Sequence, residues 1–318
     1  MGSPKPGHSR SLTEDEIVEL IRRTLGGGIG EAALRDDAAS VAVPGGGSLI
    51  VSIDSVVEGV HVDLALCRPA DVGWKALMGA LSDLAAMGAR PVGALVALCG
   101  PEPSGRTESL ALGVMAGVAE AAGASGCPVV GGDVSAAGQL VVTVTVLGST
   151  DGEAPVTRTG ARPGDVVLVT GPCGRSAAGL RRLRAGEEGG DLPTAYRRPV
   201  ARLAEGEAVR RAGAHAMIDV SDGLSLDLHR LADASRVGFR LTDVPVAEGA
   251  TLDEALGGGE DYELVLTVAA ADVDGLMERF SAAALPPPIP IGVVTAQVGQ
   301  RLLGDEELVR RGWQHRIG

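Results

Sequence analysis

At 318 residues, 45% hydrophobic but only 2% aromatic, with a formal net charge of −13, the chain has apolar material for two domains whose cores rest on Ala, Val and Leu. That negative balance excludes a nucleic-acid partner and an anionic membrane surface, since both would repel the chain at long range. A phosphate ligand would need cations as intermediaries.

Residues 1–12, beginning MGSPKPGHSR, lack an apolar targeting core and read as a disordered tail. Thr13-Glu14-Asp15-Glu16 has the form of a capping box and predicts a helix over 14–25, stopped by Gly26-Gly27-Gly28. Strands follow at 41–43 and 49–53 around Pro44-Gly45-Gly46-Gly47, with Asp54 at the end of the second. Pro69 opens a long helical pattern to Gly88. Its apolar stripe is Trp74, Leu77, Met78, Leu81 and Leu84, whereas Lys75, Gly79 and Asp83 share a different face. A strand at 93–98, a helix at 107–122, a short strand at 128–130 ending in Gly131-Gly132-Asp133, and an alternating strand at 140–147 complete a first half.

The Gly-, Pro- and Thr-rich stretch 148–164 is the best boundary, giving domains over 13–152 and 153–318. Beyond it, strands at 165–170, 216–219, 237–241, 262–268 and 290–295 alternate with helices at 176–185, 199–212, 223–235 and 271–284. The fold class is therefore α/β or α+β. No run approaches the roughly 20 apolar residues of a membrane span. Cys67, Cys99, Cys127 and Cys173 form no Cys-x-x-Cys pair, which fits reduced thiols and a cytoplasmic setting.

Aspartates recur at the predicted strand ends and on polar helix faces: Asp36-Asp37, Ser52-Ile53-Asp54, Ser82-Asp83, Gly132-Asp133 and Asp219-Val220-Ser221-Asp222. Each alone has a plain reading as a solvated turn or, for Asp222, the N-cap of the next helix. Brought together they demand a cation, because carboxylates about 4 Å apart repel by roughly 1 kcal/mol in water and about 4 kcal/mol at an effective dielectric of 20. Mg²⁺ suits a set of carboxylate and hydroxyl oxygens; an EF-hand pattern for Ca²⁺ and a His/Cys cluster for Zn²⁺ are both missing. Several such ions point to phosphoryl transfer. Gly171-Pro172-Cys173-Gly174-Arg175-Ser176 lacks Walker A spacing and any Lys, and reads as a tight strand-to-helix turn or a phosphate cradle.

The motifs RDDAA (35–39), SIDSVVEGVHVD (52–63), WKALMGALSDLAAMGARP (74–91), VVGGDVS (129–135), VTRTGARPGD (156–165), GRSAAGL (174–180), IDVSDGLSLDL (218–228) and GGEDYEL (258–264) together resemble the thiamine-monophosphate kinase family, in the superfamily of aminoimidazole ribonucleotide synthetase. The resemblance implies a two-domain fold with an N-terminal dimerising sheet, a homodimer, and ATP-dependent phosphorylation of thiamine monophosphate to thiamine diphosphate by in-line transfer. It implies Mg²⁺ at Asp37, Ser52, Ile53, Asp54, Asp83, Asp133, Asp219 and Asp222, ATP as co-substrate at Gly132, Asp133, Arg158 and Ser221, and thiamine monophosphate at His61, Glu260 and Trp313. It assigns no general base, since a phosphate oxygen is already a nucleophile.

Read as residues, Arg158 is a fixed cation suited to polyphosphate or an ordinary surface arginine. His61 is a substrate contact or a polar loop histidine. Trp313 stacks on a cationic ring or covers a core edge, and Glu260 binds an amino group or solvates a strand entry. Arg35 and Ile53 depart from the family's usual Gly before Asp-Asp and the Thr of Ser/Thr-Thr-Asp. Two alternatives stay open: another ATP-dependent member of the superfamily, and a non-catalytic Mg-nucleotide-binding relative.

Overall fold

The computed structural model of the protein describes residues 12–25, 34–44, 46–101 and 107–317. The expected tail, apart from Leu12, and the glycine stop at 26–28 lie outside the described residues. The capping box forms: Thr13 N donates to Glu16 Oε2 at 2.9 Å and Glu16 N to Thr13 Oγ1 at 3.4 Å. It opens helix α1 (Glu14–Leu25) behind strand β1 (Leu12–Thr13), and β1 pairs antiparallel with the far end of the chain, β14 (Arg316–Ile317).

Across its width the first sheet runs β2 (Ala39–Ala42), β3 (Ser48–Val57), β6 (Val141–Ser149), β4 (Arg90–Gly100) and β5 (Val129–Ala136). Neighbours are antiparallel except β4 and β5, which helix α3 (Thr107–Ser125) joins as a parallel crossover. Along β6, Val142, Val144 and Val146 are buried beneath α3 and α2 (Pro69–Ala86), so the residues between them belong to the other face. That second face leaves Ile53 67% and Leu95 41% exposed, an apolar surface with nothing of the same chain folded over it among the described residues.

Helix α2 is enclosed on nearly all sides, by the sheet and α3 on one side and by α6 (Leu203–Arg211) and β8 (Ala216–Asp219) on the other. A helix so enclosed must be small or apolar all round, which explains its Ala, Gly and Leu content. A Cβ at Gly117 would stand 1.8 Å from the Ala70 carbonyl oxygen, and one at Gly73 1.9 Å from that of Val114, so α2 and α3 cross backbone to backbone. Gly117→Ala is expected to force them apart at about 2 kcal/mol, a Tm fall of roughly 6 °C by calorimetry. An unchanged Tm would show slack at the crossing.

The second sheet runs β13 (Glu306–Glu307), β12 (Arg301–Leu303), β9 (Gly238–Leu241), β11 (Ile289–Thr295), β7 (Val166–Val169), β10 (Leu264–Val268) and β8. Its alternation feeds two cores. Val167, Val169, Ile218 and Val265 pack under α7 (Leu224–Ser235) and α8 (Leu252–Gly257), while Leu168, Met217, Leu264 and Leu266 pack with α6 and α9 (Val273–Ala282). Ala85 and Ala86, the end of α2, belong to that second core. One helix therefore carries residues of both domains' cores and brings Asp83 beside β8. Both sheets are mainly antiparallel, so the architecture is α+β. Among the described residues no helix is long and apolar enough to cross a membrane.

Candidate active site

Where β8 ends, Asp219 is buried, 1% exposed, against α2. Ser82 Oγ donates to its Oδ2 at 2.6 Å and Ser221 Oγ to its Oδ1 at 3.1 Å. The next residue of α2, Asp83, accepts from Ser52 Oγ at 2.5 Å. Asp37 arrives on the segment before β2, where the Arg158 guanidinium pairs with its Oδ1 at 2.6 Å. One carboxylate oxygen each from Asp37, Asp83 and Asp219 falls within 4.8 Å of the others, and Asp37 Oδ2 is buried with no hydrogen-bond partner.

Burial, then the neighbouring carboxylates, decides the protonation of this cluster. Asp83 is held well above the usual carboxylate range by burial and by Asp219, Asp54 and Asp37. Asp219 is pushed up to about 7 by burial and Asp37. Asp36 is pushed up to about 6, mainly by burial, although Arg158 N donates to it at 2.7 Å. Carboxylates that hold protons more tightly than usual and an orphaned oxygen together mark a place built for positive charge.

Asp54 lies within β3 rather than at its end, on the helix face of the sheet. Gly79 makes room for it: a Cβ there would sit 3.1 Å from Asp54 Oδ2 and 3.0 Å from Tyr262 Oη. Asp54, Asp83, Asp219, Ser221, Asp222 and Arg158 line one cavity of about 1270 Å³. Ile53, next to Asp54, turns its side chain to the opposite face, so only its main chain can reach the cluster.

Two readings left open are decided by the structure, and one pair of expected site residues lies apart from the cluster. Asp222 does not cap α7: its own N–H and that of Gly223 donate to Asp227 Oδ2 at 3.0 and 3.1 Å, and the Asp222 carboxylate pairs with Arg230. Asp227, a turn further on, reaches back to the helix start and leaves Asp222 available. The phosphate cradle at 171–176 fails because the buried carboxylate of Asp261 already takes the N–H groups of Gly174 and Ser176. Asp133 and Gly132 are not brought to the cluster within one chain. Asp133 shares a row with Ala97, Thr143 and Ser55, three strand spacings or about 14 Å from β3, on the face turned away from α2.

His61, Glu260 and Trp313 line the same cavity, so the structure joins residues 61 to 313 in one chamber. Val57 N–H donates to His61 Nδ1 at 3.1 Å, which puts the proton of the neutral ring on Nε2, 3.3 Å from His315 Nε2. Burial pushes His61 below its ordinary value and keeps it neutral. Trp313 is 51% exposed, with its main-chain N–H bonded to Asp222 O at 2.9 Å, and its ring lines the cavity rather than covering a core edge. Sequence reasoning missed Lys75, Tyr196, Tyr262 and His315 here. Lys75 had a signal, the one basic residue of α2, on the face it shares with Gly79 and Asp83.

Residues 35–150 match the model of the AIR synthase related protein, N-terminal domain, and residues 162–305 that of the AIR synthase related protein, C-terminal domain. The chain is 36% identical over 288 residues to the thiamine-monophosphate kinase of Bacillus subtilis, covering 86% of this chain and 88% of that one. It is 39% identical over 244 residues to the thiamine-monophosphate kinase of Mycobacterium tuberculosis, 72% of either chain. The solved structure of AaThiL complexed with AMPPCP and TMP has a TM-score of 0.84 at 30% identity, over 97% of this chain and 100% of that one. With this coverage, and with the two domains in the same order, the chain belongs to the thiamine-monophosphate kinase family of AIR synthase related proteins.

Proposed function

We propose that the protein transfers the terminal phosphoryl group of ATP to thiamine monophosphate, giving thiamine diphosphate and ADP, with Mg²⁺ held by its aspartates. The observation that carries this reading is the convergence of Asp37, Asp83 and Asp219, with Asp83 and Asp219 lining the same cavity as His61, Glu260 and Trp313. The AaThiL complex with AMPPCP and TMP supports the same pair of ligands.

The donor set fits Mg²⁺: it is carboxylate and hydroxyl oxygen without thiolate or imidazole, and it includes the orphaned Asp37 Oδ2. Asp37, Asp54, Asp83, Asp219 and Asp222 would hold the ions, with Ser52 orienting Asp83 and Ile53 offering its main chain. Bound there, Mg²⁺ would neutralise charge on the phosphate oxygens. Arg158, steadied by Asp37, and Ser221, beside Asp219, face the nucleotide phosphates. His61, Glu260 and Trp313 hold the organic end of the acceptor. The acceptor phosphate oxygen needs no general base, so the side chains have only to align it with the bond that breaks.

The exposed Ile53 and Leu95 support a homodimer through the uncovered face of the first sheet, next to an edge strand β5 whose Val130 and Val134 are also exposed. A second copy would bring Gly132 and Asp133 to this cluster. We place the domain division at 152–153, between the two sheets. The four unpaired cysteines support a cytoplasmic setting. Purified protein given Mg-ATP and thiamine monophosphate is expected to release thiamine diphosphate and ADP in equal amounts, read by chromatography. Nucleotide binding without diphosphate would overturn the kinase reading in favour of a non-catalytic relative.

A further inference from the structure

Lys75 is among the largest fully buried side chains, 1% exposed, in the middle of α2. A buried ammonium must satisfy its donors within the protein. It gives one to Glu260 Oε2 at 2.6 Å and one to the His61 carbonyl oxygen at 3.3 Å, and it lies 4.0 Å from the centre of the Tyr196 ring. Tyr196, on helix α5 (Asp191–Arg197), also donates its hydroxyl to the His61 carbonyl at 3.4 Å. Glu260 sits in the left-handed region at φ 65°, where a non-glycine residue is strained, and is held there by its N–H to Ser221 O at 2.7 Å.

We propose that Lys75 is a positioning residue that sets the Glu260 carboxylate for the organic end of the acceptor; this rests on the reading given under the proposed function. The ammonium occupies Oε2 and leaves Oε1 without a protein donor among the described residues, so one acceptor oxygen remains on the cavity side. Its partner charge is already balanced, and a balanced carboxylate suits the N–H donors of a neutral aminopyrimidine. Lys75 stands eight residues before Asp83 on the same face, about 12 Å along the helix. One rigid helix therefore fixes the separation between the phosphate-handling end of the cavity and the end that reads the rest of the acceptor.

The test compares wild type with Lys75→Met, Glu260→Gln and the double variant, measuring thiamine monophosphate Kd by calorimetry, KM for each substrate, kcat and Tm. In Lys75→Met the Kd and KM for thiamine monophosphate are expected to rise about tenfold or more, with the KM for ATP within about twofold. The double variant is expected to match Glu260→Gln, because both changes act on the same contact. Should Lys75→Met fail to fold, the double variant, which leaves no unpaired buried carboxylate, carries the comparison with Glu260→Gln. A change in Tm alone, equal losses for both substrates, or a double variant worse than Glu260→Gln would overturn the proposal. Wild type that binds no thiamine monophosphate would overturn the functional reading and this one with it.

Discussion

Asp83→Asn is expected to lower kcat on the order of 10³-fold while making the metal-free protein more stable than wild type. The two effects share one cause. Asp83 is buried among Asp219, Asp54 and Asp37, so its charge is unwelcome unless a cation is present. Asparagine keeps the shape and can still accept from Ser52, but removes the charge that gathers the cation. In EDTA its Tm should therefore exceed that of wild type, and the rise that Mg²⁺ gives to wild type should vanish.

The pH dependence has a definite sign. Asp219 has its folded value near 7 against 3.8 for the free residue, so between those values the folded state binds protons that the unfolded state has released. Metal-free stability should then fall as pH rises from about 4 to about 7, by up to a few kcal/mol, and level off above. Asp227, near 8, and Asp261, near 7, slope the same way, so the decisive quantity is the difference between wild type and variant. Scanning calorimetry at pH 5 and pH 8, with and without Mg²⁺, measures it. Near-normal turnover in Asp83→Asn, or an undiminished Mg²⁺-induced rise in Tm, would remove Asp83 from the site.

Mixing Asp83→Asn with Asp133→Asn, each inactive alone, is expected to recover up to about a quarter of wild-type turnover. Within one chain Asp133 lies across the sheet from the cluster, on the opposite face. If a second copy supplies it, a mixed dimer holds one site carrying both substitutions and one carrying neither. Random exchange makes half of the dimers mixed, hence about one intact site in four. Co-expressing the two variants and assaying the purified dimer tests this. Dimers without recovery, or a fully active Asp133→Asn, would show that Asp133 does not serve the site of a second copy.

The main elements were legible because their signals are local: the capping box of α1, the stripe of α2, and the alternation of β6. Short pieces such as α5, α8 and the strand pairs near residue 300 were not, since a few residues carry no periodicity and depend on what they pack against. The aspartates were legible as residue types, but their grouping was not. Asp83 and Asp219 meet only because α2 enters both cores, and Asp133 has a similar local sequence yet points elsewhere. The cap at 222 was misread for a related reason: Asp227 is equally able to serve the helix start, and only the backbone path shows which does.

The pairing of β1 with β14 joins residues more than 300 positions apart, and Asp15 reinforces it by bonding Arg310 at 2.8 Å and Gln314 at 3.3 Å. Trp313 and His315 hang from this clasp, whereas the aspartates of the cluster lie between residues 37 and 222. On the proposed reading, His61 and Glu260 are made early, but Trp313 and His315 reach the cavity only when β14 meets β1. The acceptor side of the site is then completed by a long-range pairing, after the aspartates of the cluster have been made.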